Sequence, residues 1–177
     1  AVEKNLFRAI GNTLIVSIVA LAIIIVIAVL LSYLVVRRSN AFNNAIDVIS
    51  MMPYIMPGGV IGISLIITFS KRPFVLTGSL LIMIIALSIR RMPFTSRSAT
   101  AAMMKIPTSI EEAAISLGAS KAKSFIKITV PMMSSGIISG AILSWVSIIT
   151  EMSSGVILYN NPVSYTHLRA HETAANI

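Results

Sequence analysis

The chain contains no cysteine, so neither a disulfide framework nor a thiolate metal site is available to it. Negative charge is scarce as well: six Asp and Glu stand against 14 Lys and Arg, for a formal charge of +8. Only 11% of the residues are charged, where water-soluble domains usually carry about a quarter. Four stretches lack charge altogether: residues 9–36, 48–70, 73–89 and 128–150. Histidine occurs only as His167 and His171, close to the end of the chain. These absences exclude several functions. An intramembrane enzyme needs catalytic His, Asp or Glu at mid-span, and the uncharged runs offer only scattered Ser and Thr. A nucleic-acid binder needs a basic patch interleaved with stacking aromatics, whereas these basic residues flank the apolar runs, so no nucleic-acid partner is expected. No Walker-type phosphate loop is present. The chain is therefore expected to bind no cofactor, to hydrolyse no ATP itself and to have no catalytic residues.

What is present is hydrophobic: 56% of residues are apolar and the mean hydropathy is +0.91. A helix that crosses the hydrocarbon core needs roughly 20 mostly apolar residues. Three runs reach that length, and 73–89 sits at its lower edge. Lipid cannot satisfy open backbone groups, and the runs lack the alternation of barrel strands, so they read as helices. The expectation is an all-α, polytopic transmembrane helical bundle in the lipid bilayer. Its four spans would cover about 9–36, 48–70, 74–89 and 132–150. Ser39–Asp47 reads as a polar loop, and Lys71, Arg72 and Pro73 as a tight connection. Arg90 and Arg91 end the third apolar stretch, and an amphipathic, basic segment runs from Met92 to Pro131.

Counting basic residues orients the bundle. Nine of them (Arg37, Arg38, Arg90, Arg91, Arg97, Lys105, Lys121, Lys123 and Lys127) fall on one side, against Lys4, Arg8, Lys71 and Arg72 on the other. The excess places 90–131 in the cytoplasm. Within the second span, Pro53 and Pro57 predict a bend, because proline removes a backbone donor and kinks a helix. That bend is either a packing kink or part of a solute path. Glu151 is either an ordinary helix-end carboxylate or a group at the mouth of that path. Gly136 and Gly140 have the spacing of close helix packing. His167 and His171 lie four apart in a polar tail, and no metal site is expected from so isolated a pair. The chain begins with Ala1 rather than Met and reads as a fragment.

Residues 107–131 carry the most specific pattern, a helix, a turn and a second helix. Pro107 suits a helix start. Ser109 with Glu112, or Thr108 with Glu111, offers a capping box. Gly118 can take the left-handed conformation that ends a helix, and Ser120 can cap the next. Glu112-Ala113-Ala114, then Gly118, Ile128 and Val130-Pro131 at their spacings resemble the EAA loop of binding-protein-dependent ABC importer permeases. The usual ending is Leu-Pro, so Val130 is a mild departure. Gly11-Asn12-Thr13-Leu14, Met52-Pro53-Tyr54 with Pro57-Gly58, and Glu151-Met152-Ser153-Ser154 look most like the second half of iron(III)-type two-part permeases. Relatives of those carry thiamine or phosphonates.

The resemblance covers residues 9–162 and implies the transmembrane core of an ABC type I importer with cytoplasmic coupling helices. It implies a bacterial cytoplasmic (inner) membrane location. The implied partners are ABC ATPase subunits that hold the ATP, an extracytoplasmic solute-binding protein, and a second permease half or homodimer partner. Glu112, Ala113, Ala114, Gly118, Ile128 and Pro131 would couple the chain to the ATPase. Pro53, Pro57 and Glu151 would belong to the path. The family's last core helix is missing, and residues 163–177 read as a tail foreign to the family or as a polar extension. A non-transporting membrane scaffold is the alternative from another class, and co-purification of an ATPase would discriminate.

Overall fold

A computed structural model describes residues 2–70 and 76–150, with side chains from residue 11 onward. It is helical throughout, and no strand occurs among the described residues. Helix α1 (Val2–Arg37) is followed by α2 (Ala41–Ile55), α3 (Gly58–Phe69) and α4 (Leu80–Met104). Then come α5 (Thr108–Ser116), α6 (Lys121–Ser124), a π-helical turn (Phe125–Thr129), α7 (Val130–Met132) and α8 (Ser134–Ile149).

The helix α4 occupies the centre. The first half of α1 packs on its start, through Val16, Ala20 and Ile24 against Ile84 and Leu87. The last turns of α1 pack on its end, through Val29, Tyr33 and Val36 against Ala99, Met103 and Ile106. Thus α1 and α4 run parallel. Helix α8 runs against both, because Ile148 joins the first cluster while Met133 and Ile137 join the second. The contact of α8 with α4 depends on glycine. A Cβ at Gly140 would lie 2.7 Å from Thr95 Cα, and one at Gly136 would lie 2.8 Å from the Ser98 carbonyl oxygen. Both are shorter than real side chains tolerate, so only the missing Cβ lets the two backbones meet. Hydroxyls bridge this seam: Thr95 and Ser144 share a hydrogen bond of 2.8 Å, and Ser144 donates to the Arg91 carbonyl at 3.1 Å.

Helices α2 and α3 carry the chain back along α4. Tyr54 stacks edge-on against Phe94, and Leu65, Ile66 and Phe69 pack near Ile82 and Ala86. The expected bend is present, and it amounts to 108° between α2 and α3 at Met56–Pro57. Pro53 sits inside α2, and Pro57 precedes the first residue of α3.

Three boundaries differ from the expectation. The polar stretch after α1 is mostly helix, because Asn40 caps α2 by accepting from the Asn43 backbone N–H at 2.7 Å. The Asn43 side chain in turn donates to the Leu34 and Arg38 carbonyls, which ties the start of α2 to the end of α1. The helix of the third expected span, α4, begins at Leu80, after a turn in which Gly78 has φ of +79°, rather than at Phe74. It also runs through Arg90 and Arg91 to Met104. Arginine is a good helix former, so charge ended the apolar stretch without ending the helix. With both arginines near the middle of α4, the basic count narrows to seven against four.

By length and composition, one helix, α1 over Gly11–Arg37, is apolar enough to cross a membrane. The bent pairs α2 with α3 and Lys121–Met132 with α8 each qualify if a pair counts as one span. The third expected span does not meet this test, because α4 contains Arg90, Arg91 and Arg97.

Candidate functional site

Helix α5, its turn and α6 form a short helical hairpin beside the C-terminal ends of α1 and α4. The turn is a Schellman motif. Gly118 has φ of +90° and donates to the Ile115 carbonyl at 2.9 Å, and Ala119 donates to Ala114 at 3.0 Å. Ser120 then caps α6, accepting from the Lys123 N–H at 3.3 Å. Both expectations for this turn hold. The capping box does not form, because Pro107 precedes α5 and no side chain caps that end. Glu111 is engaged elsewhere, and Glu112 points to solvent.

Glu111 is the anchor of the hairpin. Its Oε1 accepts from Arg37 Nε and from the Thr129 hydroxyl, each at 2.9 Å. Arg37 also donates to the Ile106 carbonyl at 2.9 Å. The two charged side chains are only 9% and 16% exposed. One carboxylate therefore ties the last turn of α1, the first turn of α5 and the π-helical turn together. Tyr33 reinforces the joint by packing on Phe125, with ring centroids 4.7 Å apart. Sequence reasoning missed Arg37, Glu111 and Thr129 as a unit. Arg37 was visible only as a basic residue closing an apolar run, and its partner lies 74 residues away.

Of the six expected coupling residues, Ala114 is buried against the bundle and Ile128 is half-buried. Glu112, Ala113, Gly118 and Pro131 are exposed. Leu117, at the tip, is 89% exposed. The hairpin thus presents a small apolar knob flanked by one carboxylate and by Lys121, Lys123 and Lys127. A β-carbon at Gly118 would meet nothing within 4 Å, so the glycine answers to backbone conformation.

The expected path residues are not brought to this hairpin. Pro53 and Pro57 lie at the α2–α3 bend, and Glu151 lies outside the described residues. So do His167, His171 and the expected tail over 163–177. Among the described residues no group of three or more His, Cys, Asp or Glu could hold a metal.

Comparison with known proteins gives this arrangement a family. The chain is similar to the molybdate/tungstate transport system permease protein WtpB of Thermococcus kodakarensis, 29% identical over 160 residues. That match covers 90% of this chain and 64% of the relative, so the chain spans less than two thirds of the length of such relatives. It is also similar to a putative ferric transport system permease protein, FbpB 1, of Haemophilus influenzae. There the identity is 30% over 147 residues, covering 83% of this chain and 23% of the relative. A probable transport system permease protein, NifC, of Clostridium pasteurianum is 23% identical over 139 residues, or 73% of this chain and 49% of the relative. Residues 24–174 match the family described as binding-protein-dependent transport system inner membrane component, and the chain belongs to that family.

Proposed function

We propose that this chain is the permease subunit of an ABC importer, forming part of a solute path and coupling it to a separate ATPase through α5 and α6. The observation that carries this reading is the anchored hairpin. Its exposed tip, with Glu112, Ala113, Leu117 and Gly118, is suited to a partner's groove, while Glu111 and Arg37 fix its base to α1. A push on the tip then reaches a long membrane helix with little slack. The hairpin faces the cytoplasm, ATP binds on the partner, and a solute-binding protein delivers cargo from the other side. A second permease half or a second copy completes the path, and the α2–α3 bend at Pro53 and Pro57 contributes to it.

An oxyanion is the favoured solute. Helix α4 carries Arg90 and Arg91 near its middle and no acid. The hydroxyls of Ser88, Ser96 and Thr100 are buried on it without hydrogen-bond partners among the described residues. Cationic and hydroxyl donors suit a tetrahedral oxyanion. The relatives named for molybdate and tungstate agree with this reading. Iron(III) is the second reading, favoured by the motifs in α2 and by the ferric permease relative. A hard cation, however, calls for oxygen-anion ligands, and α4 supplies no carboxylate.

The coupling reading is tested with Gly118→Leu and Glu112→Lys in the full-length permease. The first forces a Cβ into a left-handed conformation, at roughly 1 kcal/mol or more. The second reverses the exposed charge at the tip. Normal permease levels, weakened ATPase association and lost uptake are expected in liposomes containing the binding protein. Full solute-stimulated ATP hydrolysis in both variants would refute the coupling role.

A further inference from the structure

A cavity of about 290 Å³ lies where the end of α1 meets the hairpin. Its charges are unevenly spent. Arg37 and Glu111 neutralise each other across the wall. Arg38, from the end of α1, and Lys121, from the start of α6, line the same cavity. Both are exposed, and neither makes an ion pair among the described residues. Among the described residues the only other acid in the wall is Glu112, which leaves a surplus of positive charge. Ser124 also belongs to the wall. It is 1% exposed, and its hydroxyl has no hydrogen-bond partner among the described residues. A buried hydroxyl without a partner costs free energy unless something arrives to accept its proton. Two cations from different elements, a neighbouring unmatched donor and an open volume fit a phosphate group.

The position of the cavity indicates where that phosphate comes from. The apolar run of α1 ends at Arg37, so the wall stands at the level of the membrane surface. Tyr33 lines it from the apolar side, as aromatic residues do at headgroup depth. We propose that this cavity binds the phosphodiester headgroup of an anionic membrane lipid. The site rests on the membrane reading above but not on ATPase coupling. The lipid phosphate lies between Arg38 and Lys121 and props the base of the hairpin against α1. Free phosphate shares this chemistry but lacks the acyl chains that hold a lipid at this depth.

The test uses the assembled full-length transporter in nanodiscs, of phosphatidylcholine alone or mixed with phosphatidylglycerol. Retained lipid is counted by native mass spectrometry. Phosphatidylglycerol is expected to stay bound through delipidation, and R38Q/K121Q is expected to weaken its binding roughly 25-fold, from about fivefold per charge. The paired variant K105Q/K123Q removes two exposed charges outside the cavity wall and is expected to retain the lipid. Equal loss in both variants would overturn the site in favour of diffuse surface charge. Displacement of phosphatidylglycerol by millimolar inorganic phosphate, with binding of that phosphate abolished by R38Q/K121Q, would overturn the lipid and leave a free-anion site. Because retained lipid is read without ATP, this outcome is separate from any failure of coupling.

Discussion

Arg37 shows how much one side chain can hold at the end of a membrane helix. Its guanidinium bonds a carboxylate and a carbonyl at once, and the carboxylate also serves Thr129. Such a nearly buried charge pair is sensitive to losing one partner, because the other is left uncompensated, at about 3–5 kcal/mol. Arg37→Gln and Glu111→Gln should each lower the unfolding temperature of the permease in detergent. The double variant should lose less than the sum of the two, giving a coupling energy of about 1–3 kcal/mol. Additive losses would show that the two residues act independently. This pair was hidden in the sequence because spacing within a helix says nothing about a partner 74 residues away. Gly118 was legible for the opposite reason: the residues that cap α5 lie within one turn of it.

Among the elements, the seam between α4 and α8 brings two backbones into close approach at glycine. Gly136 and Gly140 were readable from their spacing, although the sequence did not say which helix they faced. Both meet α4, around Thr95 and Ser98. Gly140→Leu would drive a side chain into backbone and should destabilise the bundle by about 1–3 kcal/mol, the usual cost of overpacking. Leu at exposed Ser135, on the same helix, should be neutral. Thermal unfolding of the two variants in one detergent checks this, and equal stabilities would mean that the helices do not approach so closely. The extent of α4 was less legible. A boundary drawn at Arg90 assumes that charge marks the edge of the lipid. Helix α4 is instead enclosed by α1, α2 and α8, and at least one of its arginines, Arg97, pairs with Asp47 at 3.1 Å. The break at Pro57 was legible because proline acts locally, whatever surrounds it.

At the scale of the whole molecule, the helix directions and the basic residues agree on one orientation. The ends of α1 and α4 and the whole hairpin gather at one end, and the turn before α4 sits at the other. In a cysteine-free background, single cysteines at Ser120 and Thr77 would report it. An impermeant thiol reagent on intact cells should label position 77 and spare 120. The reverse pattern would invert the topology. The parallel pairing of α1 and α4 also sets an order of events during synthesis. Arg37 must wait for Ile106, 69 residues later, before its bond to that carbonyl can close. At roughly 5–20 residues per second, the ribosome takes about 3–14 s to supply it. For that interval α1 stands in lipid without its main neighbour. It is equipped for the wait: Ser17 and Ser32 donate to the Leu14 and Val29 carbonyls of their own helix, at 2.9 and 2.8 Å. Neither hydroxyl needs a second helix to be satisfied, so α1 can stand in the bilayer until α4 arrives.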